Sequence, residues 1–241
     1  MHDYQKNRPE TIQDMFNSIS IRYDLANSIL SFRMHKLWNK RLIKKVTQRN
    51  RSLVHVDLCS GTGEIAFSLL RKAKEKQTVY LVDFSEGMLG CAKEKLKRLG
   101  LSRHTVHFRR ADVQNLPIED STADSATLAY GVRNVKDPRL CIKEAYRILK
   151  PGGKFGILEL TEPSNPLIRV GHQFYLKMII PSIGKLLTSN QDAYEYLSHS
   201  IKDFIRPEEI EKILQEAGFV HTSIERLSGG IATLLYAEKP S

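Results

Sequence analysis

Two carboxylates and two glycines carry the first chemical signal in this chain. Asp57 ends the apolar, β-branched run Leu53-Val54-His55-Val56, and Leu58-Cys59-Ser60-Gly61-Thr62-Gly63-Glu64 follows it. Ile65, Ala66, Leu69 and Leu70 then recur at helical spacing, so the stretch reads as a buried strand, a tight turn and a helix. Gly61 and Gly63 let the backbone approach a ligand closely, and the amides that open the helix face whatever sits in the turn. Gly61-x-Gly63-x-x-Ala66 formally fits a dinucleotide fingerprint, with Asp83 about twenty residues on, where a ribose-binding acid is expected. An ordinary strand-to-helix turn is the bland alternative. Asp57 discriminates between the ligands: a carboxylate at the strand end repels a pyrophosphate and suits a ligand carrying an ammonium and a sulfonium. Thr62 and Glu64 add polar and acidic character of the same kind.

Those residues have to be held by a frame, and the rest of the chain supplies one. Thr78 to Phe84 reads as a second strand, Glu86 to Leu99 as its helix with Gly100 as C-cap, and Thr105 to Arg110 as a third strand. Ser125 to Tyr130 reads as a fourth strand and Pro138 to Leu149 as a helix ended by Lys150-Pro151-Gly152-Gly153. Lys154 to Leu160 is the fifth strand, and Pro207 to Ala217 a helix capped by Gly218. Thr222 to Leu227 and Ile231 to Glu238 form a closing antiparallel hairpin. Strands alternating with helices give an α/β fold with a mostly parallel sheet. Before it, Glu10 to Arg51 reads as helical, with Ile12, Met15, Phe16 and Ile19 on one stripe. After the fifth strand, Asn165 to Leu187 is an apolar insertion, either a core helix or a lid over a hydrophobic substrate; Tyr194, Tyr196 and His199 follow it at the same entrance.

The motifs resemble those of a known class. Asp57 through Gly63, with Val82-Asp83-Phe84-Ser85 and Met88-Leu89, is similar to the first two motifs of class I methyltransferases dependent on S-adenosyl-L-methionine (SAM), although Cys59 and then Ser60 stand where that class commonly has glycine. The resemblance implies a Rossmann-like, mostly parallel seven-stranded sheet with helices on both faces. It also implies that Asp57, Gly61, Thr62 and Gly63 hold the methionine end of SAM. Asp83 binds the ribose hydroxyls, with Phe84 and Met88 beside it. Asp112 contacts the adenine amino group and Val113 lies near the ring; a turn or cap role is the alternative for Asp112.

A narrower resemblance comes from Phe16 to Asn27 and Leu30 to Trp38, and from Arg147-Ile148-Leu149-Lys150-Pro151-Gly152-Gly153 with Glu159. Both are similar to signatures of the ubiquinone/menaquinone biosynthesis C-methyltransferases. Arg33 stands where that family usually has glycine, which implies a different local turn. The resemblance covers nearly the whole chain as one domain: helical cap 1–51, cofactor-binding core 52–160, apolar insertion 161–206, closing helix and hairpin 207–241. It implies C-methylation of a reduced, prenylated quinone, since only the quinol can push electron density onto a ring carbon. Demethylmenaquinol is favoured over the methoxy-benzoquinol precursor of ubiquinone because the menaquinone branch is the more widespread. Gly131-Val132-Arg133-Asn134 falls at the end of the fourth strand, where open α/β sheets do chemistry. Arg133 is the candidate to lower a phenol pKa or hold a water, and Asn134 and Tyr23 to orient hydroxyls. Arginine stays protonated, so it is no base; an ion pair with Asp137 or Glu159 is the alternative role for Arg133.

Composition narrows the partners. The net charge is +10 and the pI about 9.5, which favours an anionic partner. The basic clusters lack interleaved aromatics and no RNA-binding module is visible, so transient contact with an anionic membrane surface is expected rather than nucleic acid. An RNA methyltransferase and a non-catalytic scaffold are the rival readings. Cys59, Cys91 and Cys141 have no metal-ligand spacing, no signal peptide is read, and no stretch approaches a membrane span, so a cytoplasmic chain is expected, peripheral on the inner membrane face at most. Related enzymes often form homodimers.

Overall fold

The computed structural model describes residues 9–47, 53–180, 191–202 and 204–241. Ile183, Leu186 and Leu187 of the insertion, Arg51 of the basic run and the side chain of Tyr194 lie outside what it describes.

Seven strands form a single sheet: β1 (Val54–Leu58), β2 (Thr78–Asp83), β3 (Thr105–Arg110), β4 (Ala123–Ala129), β5 (Leu149–Leu160), β6 (Val220–Leu227) and β7 (Ala232–Glu238). Their order is β3-β2-β1-β4-β5-β7-β6, parallel throughout except β7, which runs antiparallel to both β5 and β6. The order reverses between β1 and β4, and ligands of open α/β sheets bind in the crevice at that switch point. β5 starts five residues earlier than the apolar pattern suggests. Leu149 pairs with Ala123 before a register shift, and Gly152, at φ +73°, lets the chain bend through Pro151 without leaving the sheet.

Helices cover both faces. α3 (Met34–Thr47), α4 (Glu64–Lys72) and α5 (Glu86–Leu99) lie on one, and α6 (Pro138–Ile148) and α9 (Pro207–Glu216) on the other. Each face has its own apolar core, one around Leu42, Phe67, Leu70 and Leu81, the other around Leu128, Ile142, Ile148 and Phe155. Gly156 on β5 is a steric requirement of this packing, because a Cβ there would stand 2.5 Å from Leu42 Cδ1 of α3. Helix ends carry the expected caps: Ser85 accepts from the amide of Met88, and Gly100 closes α5 at φ +63°.

A third, smaller core joins segments far apart in sequence. Ile12 and Met15 of α1 (Pro9–Ile19) and Leu30 of α2 (Tyr23–Leu30) pack with Leu176 and Ile180 after α7 (Pro166–Phe174), and with Ala193 and Ile201 of α8 (Gln191–Lys202). α7 runs into one π-helical stretch, Tyr175–Ile179. The N-terminal helices and the insertion thus form one roof over the carboxyl ends of the strands. Burying such side chains contributes about 1.5–3 kcal/mol each. No helix among the described residues is long and apolar enough to cross a membrane.

The α2–α3 corner carries two left-handed residues in a row. Arg33 keeps the left-handed backbone that glycine favours, at φ +61°, with Phe32 beside it at φ +47°. The chain thus takes a left-handed turn here with two L side chains, at the cost of strain.

Candidate active site

The turn between β1 and α4 does what its sequence suggests. Gly61 and Gly63 have φ of +52° and +78°, and a Cβ on Gly61 would point into open space, in the wall of the cleft. The amide of Gly61 donates to Asp83 Oδ2 (2.8 Å) and that of Ser85 to Asp83 Oδ1 (2.9 Å), which ties the ends of β1 and β2 together. Asp57 accepts from the Thr127 hydroxyl (2.8 Å) and the Ala66 amide (3.3 Å).

Both acids are buried, and neither is ion-paired with a cationic side chain among the described residues. Burial therefore pushes the Asp57 carboxyl up to about 7 and Asp83 to about 6, against their own hydrogen bonds. A ligand bringing a positive charge and hydroxyl donors would relieve both, which fits SAM. Phe84 and Met88 border the same narrow cleft with Phe16, Tyr23 and Tyr130.

α1 and α2 close over this cleft. Asn17 Oδ1 accepts from Ser85 Oγ (2.7 Å) and the Gly87 amide (3.1 Å), and Gln13 Nε2 donates to the Phe84 carbonyl (2.7 Å). Thr62 donates its hydroxyl to Asp24 Oδ1 (2.6 Å), and Lys95 pairs with Asp24 at 2.5 Å. The Thr62 hydroxyl is thus engaged with the roof, while Thr62 itself still lines the larger cavity. Asp112 is exposed past the end of β3 and accepts from the amide of Gln114 (2.9 Å); Val113 is buried in the core. Neither is among the residues walling the cleft or the cavity.

Beside the cleft lies a larger, mostly apolar cavity of about 510 Å³. Leu30, Trp38, Ile65, Leu160, Ile168 and Leu176 supply much of its wall; α7 forms one side through Gly171 and His172. Tyr23 borders both spaces, so it stands where cofactor and substrate would meet.

Arg133 also lines this cavity. Its guanidinium is buried against the Glu159 carboxylate in an ion pair and donates to the Tyr130 carbonyl (2.9 Å), the pairing that sequence offered as an alternative role. Burial alone would lower it, but Glu159 more than offsets this and holds the group above its ordinary value. The remaining Nε–H is buried and without a partner among the described residues. Asn134 Oδ1 accepts from the Tyr196 hydroxyl of α8 (2.9 Å), while His199 faces solvent. Burial pushes the Tyr23 and Tyr130 phenols up.

Sequence reasoning did not pick His35, His172 or Glu64 as wall groups of this cavity, yet all three border it. His35 was visible only as part of a signature. His172 sat unremarked in an apolar run.

A switch-point cleft built from a Gly-rich turn and two cation-seeking acids, under a helical roof, defines a class I SAM-dependent methyltransferase. Sequence comparison agrees: the profile of the ubiE/COQ5 methyltransferase family matches residues 2–239, and the chain belongs to that family, with SAM as its cofactor. A Protochlamydia amoebophila protein named demethylmenaquinone methyltransferase is 50% identical over 240 residues, 100% of this chain and 99% of its own. The Rickettsia bellii ubiquinone/menaquinone biosynthesis C-methyltransferase UbiE is 38% identical over 231 residues, 95% of this chain and 92% of its own. A SAM-dependent methyltransferase from Aquifex aeolicus shares the fold, with a TM-score of 0.59 at 19% identity over 83% of this chain and 88% of that one.

Proposed function

We propose that this enzyme methylates a ring carbon of a reduced, prenylated naphthoquinol, converting demethylmenaquinol to menaquinol. The observation that carries the reading is the apolar cavity of about 510 Å³ opening beside the Gly-rich turn, with a few buried polar atoms in an otherwise hydrocarbon wall. The name of the 50%-identical relative supports the naphthoquinol. The name of the Rickettsia relative keeps the benzoquinol precursor of ubiquinone as the second reading.

In this reading Asp57 faces the ammonium of SAM, the turn through Gly61, Thr62 and Gly63 cradles its methionine end, and Asp83 takes the ribose hydroxyls. Phe84 and Met88 border the adenosine, and Asp112, exposed past the end of β3 with Val113 buried next to it, takes the adenine amino group. Bound SAM supplies a methyl group already activated by its sulfonium, so the protein's main task is alignment. Tyr23 and Asn134 orient the ring hydroxyls between cleft and cavity. Arg133 offers its unpartnered Nε–H and its charge to the oxygen that becomes anionic.

The prenyl tail leaves past α7. There Leu167, Val170, Phe174 and Met178 form an exposed stripe, at 86%, 68%, 61% and 58% exposure, and Phe32 packs against Tyr175 across the mouth. Lys177 is exposed in the same stretch, and Arg33 is exposed next to Phe32. Apolar side chains rimmed with cations suit the surface of an anionic membrane, from which the substrate is drawn. The enzyme also forms a homodimer in this reading, and a monomer in sedimentation overturns that part.

The test is transfer of labelled methyl from SAM to reduced and oxidised short-chain demethylmenaquinone, with a ubiquinone precursor alongside. Label on the naphthoquinol only when reduced is the expected outcome. SAM binding with no label on either quinol overturns the reading.

A further inference from the structure

We propose that His35 and Glu64 act together as the acceptor of the proton that the substrate hydroxyl loses. The proposal rests on the quinol reading above for its substrate and on hydrogen-bond directions for its chemistry. Ser31 Oγ lies 2.6 Å from the Asn27 carbonyl, which can only accept, so the single hydroxyl hydrogen of Ser31 is spent there. Toward His35 Nδ1, 2.5 Å away, Ser31 therefore accepts, and Nδ1 carries the ring hydrogen. In the neutral ring the lone pair is left on Nε2.

That nitrogen is buried and makes no hydrogen bond among the described residues, yet Glu64 Oε1 stands 3.3 Å from it. With the ring neutral, two acceptors face each other there, a contact that one further proton completes. One proton would turn the contact into a charge-assisted hydrogen bond, stronger than a neutral one. Both residues border the large cavity, with Tyr130 and the Arg133–Glu159 pair also in its neighbourhood; Glu64 belongs to the turn that cradles the cofactor.

The other wall groups serve less well. Arg133 is held charged by Glu159. The Tyr130 hydroxyl donates to Asn39 Oδ1 (2.9 Å). Asp57 is occupied by Thr127 and Ala66 on the cofactor side. Burial lowers the basicity of His172.

The step balances. The substrate O–H bond breaks, its proton goes to the pair, and its electron pair stays on oxygen and feeds the ring carbon that bonds the methyl group. The carbon–sulfur bond breaks with its electrons left on sulfur. The ring carbon then loses its own hydrogen to solvent as aromaticity returns, and the stored proton goes back to the oxygen. One proton is released overall. The Glu64 side chain, 31% exposed, gives the pair an edge toward water.

Two readouts test this. Nitrogen-15 shifts of the His35 ring in the full chain, with and without SAM, report the tautomer directly: a protonated Nδ1 and a bare Nε2 are expected, and the reverse overturns the proposal. Turnover of reduced short-chain demethylmenaquinone gives the second. His35→Gln is expected to lower kcat by about 10²–10⁴-fold with SAM affinity unchanged, and Glu64→Gln by about tenfold or more. Wild-type kcat in both variants, or a kcat loss in His35→Gln matched by an equal loss of SAM affinity, overturns it. If His35→Gln does not fold, Glu64→Gln and the tautomer decide. A wild-type enzyme that binds SAM but leaves the quinol unmethylated counts against the substrate reading instead, a separate result from a fast variant.

Discussion

The cofactor cleft and the substrate cavity share Tyr23 and the turn at Gly61, yet they are built on opposite principles. In the cleft, polar groups are hydrogen-bonded before any ligand arrives, and what the two acids lack is a cation. Asp83 takes two backbone amides, Asp57 an amide and a hydroxyl, and Asn17 closes over the start of α5. In the cavity the wall is hydrocarbon, and polar atoms such as Arg133 Nε, His35 Nε2 and His172 Nδ1 are buried without hydrogen-bond partners among the described residues. An unsatisfied buried group costs about 1–3 kcal/mol. A fold keeps such groups at low net cost only if something else completes them. In the proposed reading the cleft recognises charge by preorganisation, and the cavity recognises shape and keeps a few groups for chemistry.

The comparison breaks most visibly at Arg133, where the two principles meet. Arg133→Ala leaves Glu159 buried and unpaired, so we expect a loss of about 3–5 kcal/mol in denaturant unfolding as well as loss of turnover. Arg133→Met with Glu159→Leu should recover much of the stability and none of the turnover. Full turnover and unchanged SAM affinity in Arg133→Ala would remove it from the site.

The charge side of the cleft is tested by pH. Asp57 and Asp83 have folded values raised to about 7 and 6, so the folded chain binds protons more tightly than the unfolded one between about pH 4 and 7. Stability from these groups is present at low pH and lost as pH rises through those values, on the order of a few kcal/mol. A cationic ligand reverses the trend. Thermal unfolding should therefore show a larger SAM-induced rise in Tm at pH 8 than at pH 5.5, and equal shifts would contradict the assignment of these acids.

The cavity's outer rim is expected to respond to lipid and not to pH. Phe174→Ser removes an exposed ring that does not line the cavity, and should weaken binding to anionic vesicles about tenfold or more. Turnover of a short-chain quinol in detergent-free solution should stay at the wild-type rate. The smallest effect is expected at the corner beside it. Arg33→Gly relieves a left-handed backbone and should raise unfolding stability by about 1 kcal/mol. A decrease would mean that the Arg33 side chain contributes more than its backbone costs.

The apolar and glycine pattern of the chain was enough to lay out the sheet and the cleft. α5 ends at Leu99 and its cap is Gly100, as read from local pattern, because capping and burial there depend on neighbours in sequence. Where the pattern misled, long-range pairing won: Leu149 enters β5 because Ala123 lies opposite, which no local window contains. Arg33 takes the left-handed backbone that glycine favours, which its residue type does not announce. The Thr62 hydroxyl donates to Asp24, 38 residues away along the chain, a contact that no local window contains.

By itself the sequence determined the α/β class, the Gly-rich turn after Asp57, the acid ending β2 and the apolar character of the insertion. These depend on periodicity and on residue types confined to short stretches. The tertiary structure alone decided that α1 and α2 join α7 and α8 in one roof, that Arg133 pairs with Glu159 rather than Asp137, and that His35 meets Glu64 at the cavity wall. Such meetings are set by which faces the sheet order and helix packing turn toward each other, and a linear pattern carries no record of that.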